Sequence, residues 1–287
     1  MTVSLLCLVV LMGISFENKG DGMKEENQKM LGKFKSDLFK IGANLDGSEQ
    51  RNKEASYKMF VDYAFGSMLQ ALSLMQISGS EIYMKKHVRE SLMNIKDNPE
   101  LGQSVKSYCD LVRSCDPFTD VFSMLHEELL LTGKRGEGLG QFYTPSDIAN
   151  VLAQLMPLLT GGKMIEDFCC GAGSLLLAAL KRCAMTTPDA LATVTVILND
   201  IDELACKVAF LQVVANMLVH RVQVGEILMY NCNVITEWSE PNTLLVGYKA
   251  PDIQPKSSIK AGNVEAFNKV SGMCKSSSER STKPVMS

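Results

Sequence analysis

The stretch Met164-Ile-Glu-Asp-Phe-Cys-Cys-Gly-Ala-Gly-Ser-Leu-Leu-Leu-Ala-Ala-Leu180 decides the fold. It predicts a short buried strand, a tight glycine turn and a helix. Gly171 and Gly173 lack a Cβ atom, so the backbone there can adopt positive φ and approach a ligand closely. Asp167 comes at the carboxyl end of the strand, where open α/β sheets bind their ligands. A G-x-G pair also occurs in ordinary strand-to-helix turns, so the flanking sequence has to decide between the two interpretations.

Two flanking segments favour a ligand site. Val194-Thr-Val-Ile-Leu-Asn-Asp200 predicts a second β-branched strand that ends in an acid. In nucleotide-type sites such an acid hydrogen-bonds ribose hydroxyls, and its separation from the glycine turn is of the expected order. Upstream, Gly140-Gln-Phe-Tyr-Thr-Pro-Ser-Asp147 is a compact polar and aromatic segment directly before a helical pattern.

Together the three segments resemble the adenine-N6 DNA methyltransferases, specifically the modification subunits of type I restriction systems and their stand-alone phage and plasmid relatives. In that family a G-Q-[FY]-[FY]-T-P segment, a D-P-x-C-G-[ST]-G turn and an acidic second strand surround S-adenosylmethionine. The resemblance runs over about 118–238, and G-Q-F-Y-T-P is its most specific part. Phe168 stands where the family has proline.

The resemblance implies a set of cofactor contacts. The segment at 141–146 would close over S-adenosylmethionine, and Asp167 with the turn at 171–174 would hold its methionine end. Asp200 would accept the ribose hydroxyls and Ile201 would pack on the adenine ring. Asn233 stands near the position where relatives place an acid that contacts the adenine amino group. The expected cofactor-binding residues are Gln141, Phe142, Tyr143, Thr144, Pro145, Ser146, Asp167, Gly171, Ala172, Gly173, Ser174, Asp200, Ile201 and Asn233.

The catalytic motif of the family is absent. Its members carry N-P-P-[FY] or D-P-P-[FY] directly after the fourth strand, where the Asn or Asp side chain and a prolyl carbonyl accept the hydrogens of the adenine amine. The aromatic residue stacks on the flipped base. Here the corresponding stretch reads Val246-Gly-Tyr-Lys-Ala-Pro251, in which Tyr248 could stack but nothing replaces the Asn/Asp-Pro-Pro. We therefore assign no catalytic residue from the sequence.

Two function hypotheses stay open. The first is an S-adenosylmethionine-dependent transferase that methylates adenine N6 in DNA, with a divergent or partner-supplied motif for the target base. The second is a catalytically inactive relative that binds S-adenosylmethionine or DNA, either an assembly subunit or an anti-restriction decoy. Expected partners are DNA and a specificity or other subunit that supplies target recognition. A Rossmann dehydrogenase is disfavoured, because Leu176 occupies the third glycine position of G-x-G-x-x-G.

Composition indicates the class of protein and its cellular compartment. The chain has 287 residues, 46% of them hydrophobic and 21% charged, which is ordinary for a globular protein. The formal net charge of -3 argues against DNA binding by bulk charge, although Lys134 and Arg135 are candidates for local phosphate contacts. Nine cysteines without regular spacing fit a reducing compartment, so we expect a cytoplasmic protein. No C-x-x-C pair with a histidine partner occurs, so no metal is expected.

The predicted fold class is α/β: a Rossmann-like S-adenosylmethionine-dependent methyltransferase core with an incomplete-looking sheet, preceded by a helical region. The expected division is an apolar extension at 1–22, a helical region at 23–135, a core at 136–250 and a disordered tail at 251–287. Helices are expected near 24–41, 57–75, 84–95, 104–113, 118–131 and 202–220, with third and fourth strands near 221–230 and 243–248.

The extension at 1–22 has several interpretations. Its apolar run at 2–14 is shorter than the about 20 residues of a membrane span and has no Lys/Arg-rich beginning. A start at Met23, a buried strand or helix, and a membrane anchor are the alternatives. We expect no stable membrane association.

Overall fold

The computed structural model describes residues 23–43, 45, 47–75, 79–95, 98–123, 125, 144–238, 240 and 242–251. The apolar extension at 1–22 and the predicted tail from 252 onward lie outside these residues, so both interpretations stay predictions.

Among the described residues, the region before the core contains the helices α1 (Met23–Lys40), α2 (Glu49–Met75), α3 (Lys86–Met93) and α4 (Pro99–Ser114). The start of α4 is fixed by Asn98, whose side chain accepts the backbone N–H groups of Glu100 and Leu101, with Pro99 in the first turn. These helices pack through buried aromatic rings, in which Phe34 lies 5.2 Å from Phe60 and 5.5 Å from Tyr108 between centroids. The helical region is therefore held by tertiary packing of these rings rather than by helix propensity alone.

A short strand, β1 (Glu81–Met84), interrupts the helical region. It pairs antiparallel with the last strand of the core, Ile82 opposite Tyr248. The sequence predicts no strand here and a helix from Met84, whereas the helix begins at Lys86. Four residues are too few to show alternation, and the partner strand is distant in sequence, so no local pattern could indicate this pairing.

The core continues with α5 (Ser146–Leu155), β2 (Met164–Asp167), α6 (Ser174–Thr186), α7 (Pro188–Leu191), β3 (Thr195–Asp200), α8 (Glu203–His220), β4 (Glu226–Asn231) and β5 (Leu244–Lys249). The five strands form one sheet in the order β1-β5-β4-β3-β2. Strands β2, β3 and β4 are parallel, and β5 runs antiparallel to β4. This mixed α/β sheet, with helices between the parallel strands, confirms the predicted fold class.

The three parallel strands make one βαβαβ half of a doubly wound sheet. The fourth strand forms as expected at Leu244–Lys249, but it joins the far side of β4 rather than the free side of β2. In the part of the chain that the structure describes, β2 is thus an edge strand, and the glycine turn that follows it lies at the end of the sheet.

Helix α8 is the central helix of the molecule. It is long and apolar enough to cross a membrane, and no other described helix is. Most of its side chains are buried, and it packs against β3 and β4 on one side and against α2 and α4 on the other. Its apolar composition is therefore explained by its place between the sheet and the helical region.

Candidate functional site at the carboxyl ends of β2 and β3

The glycine turn after β2 has the backbone that its sequence predicts. Gly171 has φ +51° and Gly173 has φ +91°, both in the left-handed region that favours glycine. The Gly173 N–H donates to the Cys170 carbonyl at 2.7 Å. A Cβ at Gly173 would lie 3.2 Å from the Cβ of Ala209 on α8, so the turn also requires glycine for close packing.

Asp200 holds this turn from the neighbouring strand. One carboxylate oxygen, Oδ2, accepts the Gly171 N–H at 2.9 Å, and Oδ1 accepts the Asp202 N–H at 3.0 Å. A carboxylate oxygen has a second lone pair, so each oxygen can still accept a further hydrogen bond. Asp200 therefore combines a structural role in the turn with remaining capacity for a hydroxyl ligand.

Two asparagines connect the strand ends, and sequence reasoning assigned neither of them. Asn199 is buried, and its amide donates to the carbonyls of Phe168 and Cys232 at 2.8 and 3.2 Å. Its carbonyl oxygen accepts the Cys232 N–H at 3.1 Å. Asn231 donates to the Asp200 carbonyl at 2.9 Å. These hydrogen bonds connect the loops after β2, β3 and β4, so the backbone beneath the candidate site is held in one arrangement.

Asp167 lies half-buried at the end of β2 beside the turn. Burial is the largest cause that raises the pKa of its carboxyl, the charge of Asp200 raises it further, and a hydrogen bond from the Cys169 backbone opposes both. The neighbouring carboxyls of Asp167 and Asp200 favour a ligand with a cationic group, because a positive charge would reduce the repulsion between them.

Two further predicted contacts, Ile201 after β3 and Asn233 after β4, differ in how their side chains are placed. Ile201 is 69% exposed directly after Asp200, so an apolar surface is presented at this edge. Asn233 turns its side-chain oxygen to the Ile235 N–H at 3.0 Å, and its own N–H donates to Glu237. Its carbonyl oxygen thus caps a local turn, an arrangement common for asparagine.

Thr144, Pro145 and Ser146 lead directly into α5, as the sequence predicts; Gln141, Phe142, Tyr143, Lys134 and Arg135 lie outside the described residues. Helix α5 packs on α6 through Ala149, Ala153 and Ala178. Arg182, near the end of α6, donates to the carbonyls of Ala153 and Met156 at the end of α5. The two helices therefore run in the same direction, which directs the start of α5 toward the glycine-turn end of α6.

Tyr248 is not available to stack on a base. It is fully buried, and it pairs with Ile227 near the beginning of β4. Because β5 runs antiparallel to β4, the residues after β5 lie at the edge of the sheet opposite the glycine turn. The possibility that Tyr248 stacks on the flipped base is therefore wrong. It depended on the direction of β5, which no local sequence pattern specifies.

The buried Cys170 thiol in the turn is a poor nucleophile. A hydrogen bond with the Cys206 thiol and burial are the main causes that raise the pKa of Cys170 well above its usual range. Seven cysteines in the described part of the chain are free thiols. Within that part, no group of His, Cys, Asp or Glu side chains is arranged to hold a metal ion.

A buried polar cluster behind the turn was also missed. Asp120 accepts the Ser174 hydroxyl at 2.5 Å and the Gln212 amide at 3.0 Å, and Gln212 also donates to the Ala172 carbonyl at 2.9 Å. One signal was present in the sequence: Gln212 and Asn216 are polar residues four positions apart on an otherwise apolar helix.

The parallel half-sheet, with a glycine turn after its first strand and an aspartate after its second, belongs to a mixed α/β protein with one sheet and a helical region before it. Residues 114–243 match the family described as N-6 DNA Methylase. The chain is also 23% identical over 233 residues to the type I restriction enzyme MpnII methylase subunit of Mycoplasma pneumoniae. These matches confirm the resemblance to the adenine-N6 DNA methyltransferases of restriction-modification systems. The alignment covers 78% of this chain and 38% of the relative.

Proposed function

We propose that this chain binds S-adenosylmethionine at the glycine turn and serves in the methylation of adenine N6 in DNA. The observation that carries the proposal is the joining of the turn to the second-strand acid, by the 2.9 Å hydrogen bond from the Gly171 N–H to Asp200. The family match over 114–243 supports the reaction, and the relative's description supports a restriction-modification setting.

The described residues fit the cofactor. The turn has no side chain at its two glycines, Ile201 offers an exposed apolar surface beside Asp200, and Asp167 offers a carboxyl to an ammonium group. In this proposal Asp200 accepts the ribose hydroxyls on its remaining lone pairs. S-adenosylmethionine supplies an electrophilic methyl group when bound, and the chain's residues hold it in line with the acceptor amine.

The groups that would accept the amine hydrogens come from outside the described residues in this proposal. Among the described strands, none pairs with the outer edge of β2. Helix α5 presents a stripe of exposed apolar side chains at helical spacing, formed by Ile148, Val151, Leu152 and Leu155. Both features support an arrangement in which this chain supplies the cofactor-binding half of the active site and a further subunit supplies the other half. DNA and a further subunit would be its partners, in a reducing cytoplasm.

The second candidate is a catalytically inactive relative that binds the cofactor or DNA without turnover. The observation that favours it is the position of the segment after β5, which lies at the edge away from the turn and contains no Asn/Asp-Pro-Pro.

A methyl-transfer assay separates the two. The protein is incubated with methyl-tritiated S-adenosylmethionine and adenine-containing DNA, and the DNA nucleosides are analysed by mass spectrometry. N6-methyladenine that forms with the wild type and is lost with Asp200→Ala is the expected result for the enzyme. Cofactor binding without any methylated adenine, with or without a co-expressed specificity subunit, would establish the inactive relative instead.

A further inference from the structure

We propose that Asp120 is a positioning residue for the glycine turn, so that the segment at 118–123 sets the geometry of the cofactor site from behind. The inference rests on the proposed function for its ligand, and on the described hydrogen bonds for its structural part. Apart from the helix start at 144–146, the described residues assigned to the cofactor are at least 47 positions from Asp120 in the sequence, so no motif indicates it.

Asp120 is hydrogen-bonded to the first residue of α6. Ser174 is the first residue of this helix, it is buried, and its hydroxyl donates to Asp120 Oδ2 at 2.5 Å. Gly173, which precedes it, has no side chain and makes no cap. Asp120 therefore holds the first residue of α6 through its side chain, from a distant part of the chain, and its carboxylate lies near the positive end of the helix.

A second link runs to the turn itself. Gln212 on α8 donates through one nitrogen both to Asp120 Oδ1 and to the carbonyl of Ala172, which lies between the two glycines. Its oxygen accepts the N–H groups of Val121 and Phe122 at 3.0 and 3.3 Å. The turn is thus linked to the segment at 118–123 twice, directly through Ser174 and indirectly through Gln212.

The segment that carries Asp120 is rigid. Phe118 has φ +60°, a conformation rarely adopted by residues other than glycine, and its N–H donates to Asn216 on α8 at 2.6 Å. Asp120 also accepts the Ser123 N–H at 3.0 Å. A residue in an unfavourable conformation persists only where its surroundings fix it, so this segment has one defined position against α8.

The consequence concerns the predicted cofactor residue Ser174. Its hydroxyl hydrogen is directed at Asp120, so in this account Ser174 serves a ligand through its backbone at the start of α6. Without Asp120 the hydroxyl would lose its acceptor inside the protein, and the turn could shift or the hydroxyl could rotate.

The test compares three variants with a matched control. Asp120→Ala and Ser174→Ala remove the bond, whereas Asp120→Asn can keep it, since the amide oxygen accepts from Gln212 and the amide nitrogen donates to Ser174. Asn216→Leu is the control: Asn216 is also a buried α8 amide, but it holds only the Phe118 N–H, and its described hydrogen bonds do not reach the turn. In this variant Gln212 still holds Asp120 and the N–H groups of Val121 and Phe122, so Asp120 should keep its position. S-adenosylmethionine binding is measured by calorimetry, and stability by the midpoint of thermal unfolding.

We expect Asp120→Ala to weaken binding at least about tenfold, and Asp120→Asn to remain within about threefold of the wild type. Ser174→Ala should have little further effect in the Asp120→Ala background. Asn216→Leu should lower the unfolding midpoint without changing the dissociation constant by more than about threefold. Equal, small changes in affinity for Asp120→Ala and Asn216→Leu would show that Asp120 is only structural and would overturn the proposal.

A second measurement separates this inference from the proposed function. Hydrogen exchange of the amides at 170–174 reports the position of the turn without any ligand, because the Gly171 N–H donates to Asp200 and the Gly173 N–H donates to the Cys170 carbonyl. If the wild type binds no S-adenosylmethionine, the proposed function fails, and faster exchange here in Asp120→Ala but not in Asn216→Leu would still support Asp120. Unchanged exchange in Asp120→Ala would contradict it. If Asp120→Ala does not fold, Ser174→Ala decides the question by the same two readouts.

Discussion

Asp167 shows how one residue can make ligand binding depend on pH. Its folded-state pKa is raised by burial and by the Asp200 charge, so the carboxylate is protonated at a higher pH than an ordinary aspartate. In the proposed function it is the carboxylate form that pairs with the ammonium group of S-adenosylmethionine. The affinity should therefore be greatest above the raised pKa and should fall as the pH is lowered through it.

We predict that the dissociation constant for S-adenosylmethionine increases as the pH is lowered from about 8 to about 5. Calorimetric titrations at a series of pH values measure this change. Asp167→Asn should bind more weakly at neutral pH and should show a flatter dependence on pH. A wild-type profile that is as flat as that of Asp167→Asn would show that this carboxyl does not contact the ligand.

At the scale of elements, the packing of the glycine turn against α8 is the contact that fixes the site. Gly173→Ala would combine an unfavourable positive φ with a Cβ placed 3.2 Å from Ala209. Gly162→Ala is a matched control, because Gly162 has φ +74° but nothing within 4 Å of an added Cβ. Conformational strain is therefore common to both variants, and the close approach to α8 is particular to Gly173.

We predict that Gly162→Ala lowers the free energy of unfolding by about 1 kcal/mol. Gly173→Ala should lower it by about 1–3 kcal/mol more, as in overpacked cores. Chemical denaturation of both variants measures the difference. Equal losses would mean that α8 moves away easily and does not constrain the turn.

The elements differ in how far the sequence could predict them. The turn at 171–174, the acid at Asp200 and the helix α8 follow from local signals, namely glycine spacing, β-branched runs and helical periodicity. The strand β1 depends on pairing between residues more than 150 positions apart, such as Glu81 with Lys249. The direction of β5 depends on its pairing with β4, such as Glu226 with Lys249, and no local pattern encodes either pairing.

The same distinction applies to the site. Glycines and acids at strand ends are recognisable because their residue types are unusual at those positions. Asn199 and Asp120 are ordinary polar residues in sequence, and only their buried partners show what they do. Gln212 was the one indication, since a buried amide on an apolar helix needs partners.

At the scale of the whole molecule, the helical region and the sheet share one core. Buried residues from Phe34 and Phe60 through Leu211 to Val196 form a continuous cluster, and β1 extends the sheet from within the helical region. Continuous packing of this kind favours unfolding as one cooperative unit.

Phe60→Ala tests this cooperativity. The ring is fully buried in the helical region, so its removal should cost about 3–5 kcal/mol. The lone tryptophan, Trp238, lies beside Phe168 of the turn with centroids 4.7 Å apart, and its fluorescence reports the sheet end of the molecule. We predict that helix circular dichroism and Trp238 fluorescence shift to the same lower midpoint. A fluorescence transition that stays at the wild-type midpoint would show that the sheet is stable without the helical region.

The most direct test of the central claim is a calorimetric titration of S-adenosylmethionine into the wild type, Asp200→Ala and Asp202→Ala. Asp202 is the matched control, because its side chain also accepts a backbone N–H, that of Leu204 at the start of α8. The account predicts binding by the wild type and by Asp202→Ala, with a loss on the order of 1–3 kcal/mol for Asp200→Ala. No binding by the wild type, or equal affinity in all three proteins, would contradict the claim that the turn and Asp200 form the cofactor site.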